Sequence, residues 1–138
     1  MSHAHDPISG SWHNEQGSSL HIEVAPDGRL SGRFGTGVGF GTDETFDVTG
    51  FASGRLVVFA VNFGKYGSMT SWVGHLVDDE EPVLQTLWQM TVEVPHPKDD
   101  KDLWKSIWSG ATTFRRGAAP EHRRDRTRRS PPLPLWIT

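Results

Sequence analysis

The 138-residue chain contains no cysteine, so it can hold neither a disulfide framework nor a thiolate zinc ribbon, and no thiol nucleophile is available. Packing and hydrogen bonds must carry the fold. No run of about 18 apolar residues exists, so no membrane-spanning helix and no membrane partner are expected. The start, MSHAHDP, has neither the basic segment nor the apolar core of a secretory peptide. Helix signals are almost missing: KDDKDLWKS, residues 98 to 106, could form a single turn with acids near its start. No paired carboxylates or Ser–His–Asp set can be assembled. His3 and His5 lie at the start, and His13, His21 and His75 fall outward by strand parity, so no catalysis, cofactor or metal is expected.

Positive charge is scarce except at one end. Residues 1 to 114 carry 7 Lys/Arg against 15 Asp/Glu, whereas residues 115 to 138 carry 7 Arg against 2 acids. This basic tail, set among Pro, Ala, Ser and Gly, has too little apolar surface to offset the entropy of ordering, and it is expected to be a flexible end. An Arg cluster could touch anionic surfaces, but no groove-reading element accompanies it, so no nucleic-acid partner is expected. A third reading has PPLPLWIT dock Trp136 or its carboxylate end into a barrel mouth. The expected division is 1–8 as an N-terminal segment, 9–116 as one domain and 117–138 as the tail.

Short segments with period-two alternation recur through the domain, each bounded by Gly, Pro, Asp or Ser. Eight are expected: 9–14, 18–25, 29–35, 45–51, 55–63, 68–76, 83–92 and 109–116. Even strands with hairpin links close most economically into an eight-stranded antiparallel up-and-down β-barrel, an all-β fold without exposed edges. A two-sheet sandwich is the alternative. Parity turns Ser18, Leu20, Ile22 and Val24 inward, with Trp12 and Asn14; Leu30, Gly32 and Phe34; Phe59, Val61 and Phe63; Ser68, Thr70 and Trp72; Thr86, Trp88 and Met90; and Thr112 and Phe114. Large aromatics with a few hydroxyl and amide groups suit a buried small ligand.

GTGVGFG, residues 35 to 41, is not expected to be a phosphate cradle, because no helix follows it. It reads as a plain inter-strand loop or as a lid over a ligand. GSWHNEQGSS, DGRLSGRFGTGVG, SMTSWVG, TLWQM and DLWKSIWSGATTF, in that order, resemble the avidin and streptavidin family of biotin-binding barrels over residues 10 to 114.

That resemblance implies a biotin site and no turnover. It gives Asn14 and Ser18 as donors to the ureido oxygen and Thr36 as acceptor from a ureido N–H. Thr70 falls beside the ring sulfur, and Ser68 beside the valeryl carboxylate. Val38 and Gly39 fall in the loop over the ligand. Phe63, Trp72, Trp88 and Trp104 form the aromatic box with Met90 beside them, Trp104 being lent to a neighbouring subunit; Trp12 belongs to the core.

Four positions depart from the family. Phe34 replaces a tyrosine donor, Thr112 an aspartate or asparagine behind the ureido nitrogen, Phe63 a tryptophan and Phe40 a polar lid residue. The GKYG loop is also shorter than streptavidin's. If each lost hydrogen bond is worth roughly 1.5 to 3 kcal/mol, losing two weakens binding by about 10² to 10⁴-fold, so biotin binding weaker than streptavidin's is expected. The resemblance implies a homo-oligomer, a tetramer in preference to a dimer, and a secreted or periplasmic location. The alternatives from other classes are a lipocalin-like barrel for a different small apolar ligand and an interaction protein acting through its tail.

Overall fold

Strict alternation is what makes the strands. In LVVFAVNF, residues 56 to 63, every second side chain is buried and every other one exposed, so one face of the strand seeks a core and the other water. The computed structural model describes residues 6–36, 44–78 and 80–118. Its strands are β1 (Gly10–His13), β2 (Ser19–Val24), β3 (Arg29–Gly35), β4 (Thr45–Ser53), β5 (Leu56–Phe63), β6 (Ser68–Asp78), β7 (Pro82–Val92) and β8 (Ile107–Arg116). The helical turn expected near residue 100 is α1 (Asp100–Trp104), capped by Asp99 Oδ1, which accepts from the Lys101 amide at 2.8 Å.

Each strand pairs antiparallel with the next, and β8 returns to β1, closing the barrel in place of the alternative sandwich. The closing seam is short. It consists of the pairs Trp12↔Arg116 and His13↔Arg115.

Because consecutive strands run up and down, one end of the barrel carries the turns after β1, β3, β5 and β7. The other carries the chain ends and the turns after β2, β4 and β6. This second end is plugged by Ile8, Trp12, Leu20, Leu30, Phe59 and Phe114, all essentially inaccessible to solvent. Trp12 Nε1 donates to the Ile8 carbonyl at 2.9 Å, and the Arg116 guanidinium lies 3.9 Å above its ring. Arg116 also donates to the Ser9 and Pro7 carbonyls at 2.9 and 2.6 Å, tying the start of the described chain to its end. At the first end the chain reverses sharply after β1 and after β5, where Gly17 and Gly67 adopt φ of 83° and 82°.

Candidate functional site: the barrel lumen

Asn14 and Ser18 flank the turn between β1 and β2, and both are buried. Asn14 Oδ1 accepts from the Ser18 amide at 2.9 Å and the Gln16 amide at 3.0 Å. Those two donors fix which end of the carboxamide is the oxygen and set Nδ2, a donor, at the end away from the turn. Thr36, directly after β3, is buried at the same end of the barrel.

On β6 the inward row is Ser68, Thr70 and Trp72, all buried. Ser68 Oγ, Thr70 Oγ1 and Trp72 Nε1 are shut off from solvent and have no hydrogen-bond partner among the described residues. A buried orphan polar atom costs about 1–3 kcal/mol. Three in alternate positions of a single strand therefore form a costly polar stripe running into the lumen from its mouth. A groove of about 210 Å³ beside Gly64, Gly67, Val92 and Glu93 reaches Ser68 from outside.

Aromatic rings stand around that stripe. Trp72 stacks on Phe59 with centroids 5.1 Å apart and planes 17° from parallel, and also meets Phe34, tilted, at 5.3 Å. Phe34 makes an edge contact with Phe63 at 5.8 Å. Met90 pairs with Thr70 in register and Trp88 with Trp72, both buried. Thr112 lies across from Thr86, whose hydroxyl donates to the Thr112 carbonyl at 2.9 Å; the Thr112 hydroxyl donates to Glu15. The expected inward residues are thus brought together, and Trp104, which the resemblance assigns to a neighbouring subunit, is not among them. That side chain ends α1 and is 73% exposed, pointing away from its own lumen. Val38, Gly39 and Phe40 lie outside the described residues, as does the segment proposed to dock at a mouth.

The buried polar side chains among the described residues are Asn14, Ser18, Thr36, Ser68, Thr70, Thr86 and Thr112, every one neutral. Such a lining can grip an uncharged polar group by directed hydrogen bonds while the rings exclude water.

Charge is held at the rim. Glu44, just before β4, accepts from Lys65 Nζ at 2.6 Å and from the Tyr66 hydroxyl, which joins β4 to the 3₁₀ turn Gly64–Tyr66. The Lys65 and Tyr66 hydrogen bonds hold the Glu44 carboxyl below the usual carboxylate range, and the same contacts raise both partners above their ordinary values.

Three residues of the site escaped sequence reading. Phe46 packs edge-on against Phe63 at 4.7 Å and extends the aromatic wall; its parity with Val48 on β4 was the signal. Gly110 stands opposite Trp88 and leaves room for the indole. Glu15 carries no sequence signal, since it reaches Thr112 only because the barrel closes. At the opposite end a cavity of about 650 Å³ is lined by Val24, Asp27, Phe51, Ala52 and Arg55 among others. It contains none of the orphaned buried donors or acceptors, so the lumen is the stronger site.

The sequence pattern of the Avidin family matches residues 2–117. The chain belongs to the avidin family. Among solved structures, it is similar to the crystal structure of Xenavidin, with 28% identity, a TM-score of 0.69, and coverage of 81% of this chain and 98% of that one. The avidin-family barrel here is therefore nearly a whole Xenavidin in extent, with residues 118 to 138 lying beyond the family match.

Proposed function

We propose that this avidin-family protein binds biotin non-covalently in the open end of its barrel and releases it unchanged. The observation that carries the reading is the stripe of buried, unpartnered Ser68 Oγ, Thr70 Oγ1 and Trp72 Nε1 inside an aromatic cage. A flat, uncharged, hydrogen-bonding ring system with an acidic tail suits it: the rings cover the ligand's faces, and Ser68, nearest the mouth, meets the tail. The oriented Asn14 amide and Ser18 address the ureido oxygen, and Thr36 a ureido N–H. Phe34 brings no hydroxyl to that oxygen, so affinity falls below streptavidin's.

An exposed apolar row supports self-association. Phe51, Val58, Val73 and Leu87 follow one another across β4, β5, β6 and β7 in direct register on the outer wall. A homo-oligomer covering that row would also let exposed Trp104 reach a neighbour's lumen. A tetramer is favoured over a dimer.

Calorimetric titration with biotin, repeated with Asn14→Asp, tests the site. Aspartate keeps an acceptor for the turn amides and loses the donor, so affinity should fall about 10²-fold, with some loss of melting temperature from burying the carboxylate. A dissociation constant above about 10 micromolar for the unaltered chain would sink the biotin reading. A lumen that instead takes apolar ligands lacking a urea would favour the lipocalin-like alternative.

A further inference from the structure

The β8–β1 seam is where the barrel is least tied by backbone. β1 ends at His13 and turns away at Asn14, whereas β8 continues toward the mouth as far as Ile107. Above the last backbone pair the gap is crossed by a side-chain contact. Thr112 Oγ1, buried on β8, donates to Glu15 Oε1 on the turn after β1. Glu15 is exposed, so its charge stays in water and the lumen stays neutral.

A hydroxyl has one proton and two lone pairs, and an ionised carboxylate only accepts. Once the Thr112 proton is directed at Glu15, only lone pairs remain for the lumen. On the neighbouring β1 turn, Asn14 has its oxygen occupied by two amides and its donor end turned the other way. The two strands that meet at the seam therefore present opposite polarity, a donor from Asn14 and an acceptor from Thr112.

We propose that Glu15 is a positioning residue that fixes Thr112 as a hydrogen-bond acceptor, so that the seam selects ligands carrying a carbonyl and an N–H side by side, as a cyclic urea does. The inference rests on the biotin reading for its natural ligand, but the polarity is a property of the seam. A loop carboxylate on the outside thereby does through a hydroxyl what a carboxylate inside the lumen would do at the cost of its own desolvation. Hydrogen bonds in series strengthen one another, so the Thr112 oxygen is a better acceptor with its proton on Glu15 than without.

The experiment is a double-mutant cycle of Glu15→Ala, Thr112→Val and both together, titrated with biotin and with 2-imidazolidinone, the bare cyclic urea. Glu15→Ala is expected to weaken biotin about tenfold, to do nothing further once Thr112 is valine, and to be largely rescued by Glu15→Gln, whose amide oxygen still accepts. A biotin analogue methylated on both ring nitrogens should bind equally with or without Glu15, which a mere loosening of the turn would not produce. Biotin bound with unchanged affinity by Glu15→Ala, or losses that simply multiply in the double variant, would overturn the role of Glu15 and leave biotin binding standing. No biotin binding with cyclic-urea binding that depends on Glu15 would overturn the biotin reading alone. Failure of both ligands on the unaltered chain would overturn both.

Discussion

Gly110 on β8 faces Trp88 on β7, and a methyl group at Gly110 would stand 2.5 Å from Cζ2 of the indole. The missing side chain is what lets this ring lie against the wall of the barrel. Gly110→Ala should therefore push Trp88 into the lumen, lowering stability by about 1–3 kcal/mol through overpacking and biotin affinity by at least tenfold. Thermal melting and a biotin titration check the two effects together; an unchanged affinity would remove Trp88 from the binding wall.

Thr70 carries a buried hydroxyl without a partner among the described residues, and valine is its apolar near-isostere. Thr70→Val should raise the stability of the ligand-free protein, by about 1 kcal/mol or more, and at the same time weaken biotin binding. Opposite signs in melting temperature and affinity are the diagnostic. Lower stability in the absence of ligand would mean that the hydroxyl is already satisfied.

The Glu44, Lys65 and Tyr66 cluster predicts a specific pH response. Glu44 is depressed in the folded protein, so its contribution is complete above the ordinary carboxylate value of about 4.3 and is lost as pH falls through the lower folded value. Lys65 is raised, so its share is complete below the ordinary lysine value of about 10.4 and is lost as pH climbs through the higher folded one. Melting curves of Glu44→Gln and the unaltered chain should differ slightly at neutral pH and converge as the pH falls through that lowered folded value. A difference that persists in strong acid would mean that the cluster acts through packing, for instance of Phe46 against Tyr66, whose centroids are 6.2 Å apart.

Leu87→Lys combined with Val73→Lys places two charges in the exposed apolar row and should dissociate the assembly without harming the barrel. Sedimentation velocity reads the change directly, and a single-chain mass for the unaltered protein would contradict self-association. Trp104→Ala should leave the fold intact, since the ring is 73% exposed, and speed biotin dissociation about tenfold if it caps a neighbour's lumen. An unchanged off-rate would confine Trp104 to the surface.

Period-two alternation made most of the barrel legible, because a strand with one buried face announces it at every second residue. β8 starts two residues earlier than the alternation indicated. Ile107 pairs with Thr91, but the apolar Ile107 and Trp108 beside α1 break the pattern. The inward polar residues Asn14, Ser18, Thr36, Ser68, Thr70 and Thr112 could be read from parity and resemblance. Their hydrogen bonds could not be. Glu15 meets Thr112 across 97 positions only when closure sets the register, and Gly110 matters only opposite a tryptophan. The outer row was hidden for a different reason. Val58, Val73 and Leu87 are apolar on the face that alternation assigns to water, and a single strand's composition does not say whether such a face is bare or covered.

Arg116 clasps the carbonyls of Pro7 and Ser9 beneath the plugged floor, so both ends of the barrel chain depart side by side from the end opposite the mouth. A protein or dye joined directly at Asp6 or Ala118 would hang beneath the barrel and leave ligand entry unobstructed. A short peptide bridging the two ends, with a fresh opening cut between β4 and β5 at Gly54, would give a permuted chain whose mouth loops remain uninterrupted. The same layout makes this barrel a cup with its handle on the underside.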